Sequence, residues 1–226
     1  MIVLDIETSG LTGRNGIWQI GAIELENSRN YFLQESRIDD EDEVTEGAMK
    51  VHGKTEKYLR NLKKQSQKQM IMNYLVWVLE VKEKIFLGQN TGWDVSMIQD
   101  KTIKYGLEKR FIDIHGQRTL DLHTIAQEKY KKIKGIYLLD KNGKSAMNLS
   151  RVLEFCGLPD ERINVRGNEV VKEGKHHDAL DDCKLEGECY WRLEEGKNLF
   201  PEYSQFPVPH YLTKPNGVFI RKWNQL

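Results

Sequence analysis

Asp5 and Glu7 stand two residues apart inside the apolar run Ile-Val-Leu-Asp-Ile-Glu-Thr of residues 2–8. In a β-strand, side chains at i and i+2 share a face, so the two carboxylates project side by side from a buried strand. Such a pair repels, and burial raises the cost further; a divalent cation between them removes both penalties. The Thr8-Ser9-Gly10-Leu11 that follows is a turn signal. A second acidic segment, Gly88-Gln89-Asn90-Thr91-Gly92-Trp93-Asp94, places Asn90 and Asp94 where a strand passes into a helix. A third, His176-His177-Asp178-Ala179-Leu180-Asp181-Asp182, opens a helix. Three separate places thus supply four carboxylates and a histidine.

The elements that must position these groups are readable from periodicity. Residues 17–26 alternate as a second strand and residues 30–38 as a third, joined to the first through Gly13, Asn15 and Gly16 in an antiparallel meander. Residues 39–46 read as a solvated acidic loop. Residues 55–82 carry helical character, with Met70, Tyr74, Leu75, Val78 and Leu79 on one stripe. A short strand at 84–89 follows, then an amphipathic segment from Asp94 to Gly106. Residues 118–122 read as a strand end leading into a helix through Lys131. Residues 148–156 form a short helix, and 178–195 the last long one, stopped by Gly196. Strands first, then strands mixed with helices, predict an α/β fold: a mixed sheet with antiparallel opening strands, flanked by helices.

The three motifs resemble those of the DEDDh 3′→5′ exonucleases, relatives of the bacterial DNA polymerase III proofreading subunit and of exonuclease X. Asp5-Ile6-Glu7 followed by its turn matches the first motif, Asn90 with Asp94 the second, and His177, Ala179 and Asp182 the third. Order and spacing agree over roughly residues 2–195. A sister class places tyrosine four residues before the final Asp; Asp178 stands there, whereas His177 fits the histidine class.

The resemblance implies a ribonuclease H-like fold and two-metal phosphodiester hydrolysis, with Mg²⁺ or Mn²⁺ held by Asp5, Glu7, Asp94 and Asp182. It implies His177 as general base, its place near a helix N-terminus disfavouring imidazolium. Asp178 is expected to cap that helix, while His176 and Asp181 face solvent. Thr8, Leu11, Asn90 and Trp93 are implied substrate contacts, with Leu11 the wedge against the terminal base. Trp18 is a further candidate for stacking. The implied partner is the 3′ end of single-stranded nucleic acid, DNA favoured, with nucleoside 5′-monophosphates as products. The alternatives are an RNA-trimming exoribonuclease of the same fold and a nucleic-acid-binding module of a larger complex, such as polymerase or CRISPR adaptation machinery.

Composition bounds these expectations. Among 226 residues, Lys plus Arg and Asp plus Glu are equal at 34 each, so net charge does not announce nucleic-acid binding. An acidic metal site and a basic track can cancel in such a sum. Basic residues cluster between Lys54 and Lys68, read as a solvated helix face, and between Lys129 and Lys144 around an Asn142-Gly143 turn, favoured as a phosphate track. Ile163 to Lys175 reads as a flap over the site. Cys156, Cys183 and Cys189 lack metal-ligand spacing and are expected to be reduced and buried. A strand starting at residue 2 leaves no room for a leader ahead of it, and no apolar stretch can span a membrane, so a cytoplasmic location is expected. The expected domain is 1–197. Residues 198–226, rich in proline and aromatics, are expected to form an extension outside the catalytic core that could dock a protein partner.

Overall fold

The computed structural model describes residues 1–213. The chain opens with β1 (Ile2–Thr8), β2 (Ile17–Glu24) and β3 (Tyr31–Glu35), each antiparallel to the one before. Three helices follow, α1 (Glu46–His52), α2 (Glu56–Leu59) and α3 (Gln67–Glu80). Strand β4 (Phe86–Gly88) then lies parallel to β1 on the edge opposite β2. Helices α4 (Thr91–Lys104) and α5 (Glu108–Ile114) lead to β5 (Thr119–Asp121), parallel to β4. Helices α6 (Leu122–Lys134) and α7 (Leu149–Phe155), a small hairpin of β6 (Asn164–Arg166) and β7 (Glu169–Lys172), and α8 (Ala179–Glu195) complete the order. The five-stranded sheet runs β3-β2-β1-β4-β5. Its opening half is antiparallel and its second half parallel, the mixed sheet expected from the sequence.

Strand alternation divides the core in two. Ile2, Leu4 and Ile6 of β1 pack with α3, α4 and α5 through Met70, Tyr74, Leu75, Ile98 and Phe111. Val3, on the opposite face, packs with Leu122, Val152, Cys183 and Leu193 of α6, α7 and α8. Asp5 and Glu7 continue the Val3 face by the same period of two, so they emerge beside α8. Gly21, paired with Asp5 across the sheet, permits this. A Cβ there would lie 2.5 Å from the Ala179 backbone, so only glycine lets the first turn of α8 rest on the strand.

Four expectations are corrected. The helical character over 55–82 resolves into α2 and α3, and Leu79 is exposed rather than part of the buried stripe. The acidic loop is exposed at Asp40, Glu41, Glu43 and Glu46 as expected, but its Asp42 is buried, pairs with the equally buried Lys101 at 2.6 Å, and accepts the Gln67 amide. A lysine three turns along another helix neutralises it, a contact that local sequence does not announce. The third correction is Trp18, fully buried with its ring edge-on to His52 and Tyr58, which removes it as a stacking platform.

The fourth concerns the C-terminal segment. Residues 198–213 do not stand outside the core: Phe200 and Leu212 are buried in the α8 cluster, and Tyr203 and Phe206 pack against it. A buried ion pair on α8 clasps the segment. Glu188 Oε2 accepts the N–H groups of Leu199 and Phe200, each at 2.9 Å. Arg192 donates Nη2 to the carbonyls of Tyr203 and Phe206. The Asn216-Gly217 turn signal lies outside the described residues. All three cysteines are buried and unpaired by disulfides, as expected.

Candidate active site

Each motif sits at a place the fold makes special. Strand β4 pairs with β1 only through Ile2 and Val3. Past its end, the Ile6 N–H on that edge donates to Asp94 Oδ1 at 3.3 Å. Asp94 lies buried in the first turn of α4, so it doubles as a cap on an interrupted ladder. Asn90 precedes this helix in the left-handed conformation, φ 61°. It is exposed and makes no side-chain cap, and its N–H donates to Asp121 Oδ1 at 3.0 Å.

The third motif is held from two sides. Asp178 is the N-cap of α8, accepting from the N–H groups of Leu180 and Asp181. Gln19 of β2 braces this cap, donating to Asp178 Oδ2 at 2.8 Å and accepting the Ala179 N–H at 2.9 Å. The His177 N–H donates to the Val51 carbonyl at the end of α1 at 3.1 Å. His176 is exposed, its Nδ1 against the Lys50 and Val51 carbonyls, and Asp181 is exposed as well.

One cavity of about 500 Å³ is lined by Asp5, Glu7, His177 and Asp182 together with Thr8, Leu11 and Trp93. Leu11 is 80% exposed at its rim. The Thr8 hydroxyl donates to the Gly10 carbonyl at 2.6 Å and so shapes the turn that carries Leu11. Asp94 lies behind the lining, and Asn90 does not reach it. Neither lysine cluster lines this cavity, and Arg14 is the cationic side chain at its wall. The flap expected at 163–175 contains the β6–β7 hairpin, whose Val165, Gly167 and Asn168 line the cavity.

Glu7, His177 and Asp182 bring one ligand atom each to within 4.8 Å of one another, a set able to hold a metal ion. His177 Nδ1 lies 3.2 Å from Asp182 Oδ2, and Nε2 lies 3.1 Å from the Ile163 carbonyl. Both neighbours, a carboxylate and a carbonyl, only accept, so whichever ring nitrogen carries a proton donates it to one of them.

Sequence reasoning missed Glu186, buried and one helical turn beyond Asp182. Its Oε1 accepts the Gln89 N–H at 3.1 Å, while its Oε2 has no hydrogen-bond partner. Gly88 makes room for it: a Cβ there would stand 3.1 Å from Glu186 Oε2 and 2.7 Å from the Leu4 carbonyl. The i, i+4 spacing from Asp182 was the available signal. Burial raises the pKa of Asp5 well above the ordinary carboxylate value, and the charges of Asp182, Glu186, Asp94 and Glu7 add to it. Burial likewise raises Glu7, Asp94 and Glu186. Also missed was Arg162, whose Nη1 donates to Asp182 Oδ1 at 3.1 Å. Buried oxygens that repel one another are the donor set a hard divalent cation takes up.

The family model described as Exonuclease matches residues 2–148. Among curated proteins, none matches this chain. Solved structures share the fold at low identity. E. coli exonuclease I in complex with a 5cy-dA13 oligonucleotide is 16% identical with TM-score 0.60, the match covering 84% of this chain and 40% of that one. Exonuclease I from Methylocaldum szegediense is 16% identical with TM-score 0.59, covering 88% and 41%. Cell-death related nuclease 4 (CRN-4) is 16% identical with TM-score 0.58, covering 85% and 62%. The chain therefore spans about two fifths of the length of the exonuclease I structures it matches. No described helix is long and apolar enough to cross a membrane.

Proposed function

The chain belongs to the exonuclease family, in its DEDDh branch with the ribonuclease H-like fold, and from that premise we propose that it removes nucleotides from the 3′ end of single-stranded nucleic acid, DNA in preference to RNA, as nucleoside 5′-monophosphates. The observation that carries this reading is the shared cavity. Paired acids and a histidine meet an exposed leucine and a tryptophan in a space of about 500 Å³, within the range of small-ligand sites.

Asp5, Glu7, Asp94 and Asp182 would hold two ions of Mg²⁺ or Mn²⁺. When bound, such ions neutralise the carboxylates and stabilise charge on the phosphoryl oxygens and the attacking water. Leu11 and Trp93 flank the space for the terminal base, where apolar and aromatic contact is sequence-tolerant. The Thr8 turn sets the height of Leu11, and Asn90 acts through its backbone by fixing the start of α4. His177 stands between the Ile163 carbonyl at Nε2 and the Asp182 carboxylate at Nδ1. It would take the proton from the attacking water.

An end-labelled oligonucleotide assay tests the proposal, with DNA and RNA, single- and double-stranded, in Mg²⁺, Mn²⁺ or EDTA. Stepwise shortening from the 3′ end of single strands, arrested by EDTA, is expected. Faster loss of RNA than DNA reassigns the substrate to the RNA-trimming alternative. Strand binding without shortening in either metal leaves a binding module and overturns the enzymatic reading.

A further inference from the structure

The neck of the β6–β7 hairpin is tied directly to the catalytic pair. Ile163 N–H donates to the Lys175 carbonyl and Lys175 N–H to the Glu161 carbonyl, each at 2.8 Å, which closes the neck. Asp160 grips Arg162 there, its Oδ1 accepting Nε at 3.0 Å and its Oδ2 accepting Nη2 at 3.4 Å. The remaining arm of the guanidinium, Nη1, reaches Asp182 Oδ1 at 3.1 Å. The next residue contributes the carbonyl that faces His177 Nε2. Two consecutive neck residues therefore hold the two reactive members of the third motif.

The far end of the same hairpin lines the nucleotide cavity, and Lys50 of α1 donates to the Asn168 carbonyl at 2.6 Å. A role confined to closing the neck would need only the Asp160 contact. Nη1 instead engages the oxygen of Asp182 opposite to the one that faces His177. A planar fork that binds one carboxylate through two arms and a second through the third restrains the rotation of both.

We propose that Arg162 is a positioning residue of the nuclease reaction: it fixes the rotation of the Asp182 carboxylate, and with the Ile163 carbonyl it makes the hairpin and the His177–Asp182 pair one mechanical unit. The assignment rests on the exonuclease reading given above. Arg162 acts through Asp182, so its loss slows turnover and leaves oligonucleotide affinity intact. A lysine cannot replace it, because a single ammonium lacks the fork that spans Asp160 and Asp182.

The test compares wild type with Arg162→Gln, Arg162→Lys and Asp160→Asn, and Asp160 itself does not line the nucleotide cavity. Turnover on a short single-stranded DNA is expected to fall roughly 10–100-fold in Arg162→Gln, the usual cost of losing a group that orients a metal ligand. KM stays within about threefold, the mark of an effect on reaction rather than binding. Arg162→Lys is expected to fall with it, and Asp160→Asn to lose a smaller factor that vanishes when combined with Arg162→Gln. Calorimetric titration with Mn²⁺ alone reads the same alignment without turnover, and weaker binding by roughly 10–100-fold is expected in Arg162→Gln. Unchanged or tighter Mn²⁺ binding, restoration by lysine, or a loss residing in KM overturns the proposal. If wild type binds Mn²⁺ yet cleaves nothing, the exonuclease reading fails, while the Mn²⁺ comparison still decides whether Arg162 aligns Asp182. Should Arg162→Gln fail to fold, Asp160→Asn carries both measurements.

Discussion

Glu186 shows how the residues of the candidate site differ in what reveals them. Asp5, Glu7, Asp94, His177 and Asp182 were legible because each sits in a short linear pattern at an element end. Glu186 was legible in principle, one turn along α8 from Asp182, but it reads as an ordinary polar helix position until the fold buries it against Gly88. Arg162 was not legible, since its contact with Asp182 crosses 20 residues without any periodic signature. Two predictions belong to this scale. A positioned base contributes roughly 10²–10⁴-fold, so His177→Ala is expected to lose about that factor in turnover, whereas exposed His176→Ala loses little. Equal losses at the two positions would place the motif in the wrong register. The second concerns charge. Asp5 and Glu186 have folded-state pKa values raised by burial first and neighbouring carboxylates second. A raised carboxyl pKa means the folded state holds protons that the unfolded state has released. Stability contributed by such a group is present below the unfolded value and is lost as pH rises through the folded one. Asp5→Asn and Glu186→Gln are therefore expected to melt higher than wild type without metal, by a margin that widens from pH 5 to pH 8. A margin that narrows over that interval would contradict the buried-charge account.

Elements were recovered where periodicity and caps agree, and missed where a long-range partner decides. The opening meander, α4 and α8 follow from alternation, an acidic first turn and a stop at Gly196, which takes the left-handed conformation at φ 68°. Asp42 departs from its exposed loop neighbours because its partner, Lys101, is distant in sequence. The C-terminal segment was misread because a change of composition was taken for a change of packing. Phe200 and Leu212 are core with Tyr203 and Phe206 packed against them, and Glu188 and Arg192 read as an i, i+4 surface pair until the chain returns to cover them. Phe200→Ala is expected to cost roughly 3–5 kcal/mol, the usual loss for a buried phenylalanine. Ending the chain after Asn198 removes that packing and also strands the buried Glu188–Arg192 pair. The truncated protein is expected to be insoluble or to melt far below the full chain. A truncated chain that melts within a few degrees of the full one would restore the view of this segment as an appendage.

At the scale of the whole molecule, the sheet concentrates negative charge at its own centre. β1 is flanked on both sides, and α8 packs over the face that carries Asp5 and Glu7, which meet solvent through the cavity they line. Arg162 is a cation that lowers the pKa of both Glu7 and Glu186, yet burial raises both by more. The metal-free fold thus carries a standing electrostatic cost located at the acid-bearing end of β1. Any ligand that binds the folded state alone repays such a cost by mass action, contributing about 2.7 kcal/mol at a hundredfold excess over its dissociation constant. For a chain of this size each kcal/mol moves the midpoint by about 2–4 °C. Mn²⁺ or Mg²⁺ at that excess is therefore expected to raise the melting temperature by roughly 5–10 °C. EDTA should reverse the shift. Asp182→Asn should lose most of it, because the change removes a ligand together with a repelling charge. Equal shifts in wild type and Asp182→Asn would mean the ions bind elsewhere on the surface, and the carboxylate cluster would lose its assignment as the metal site.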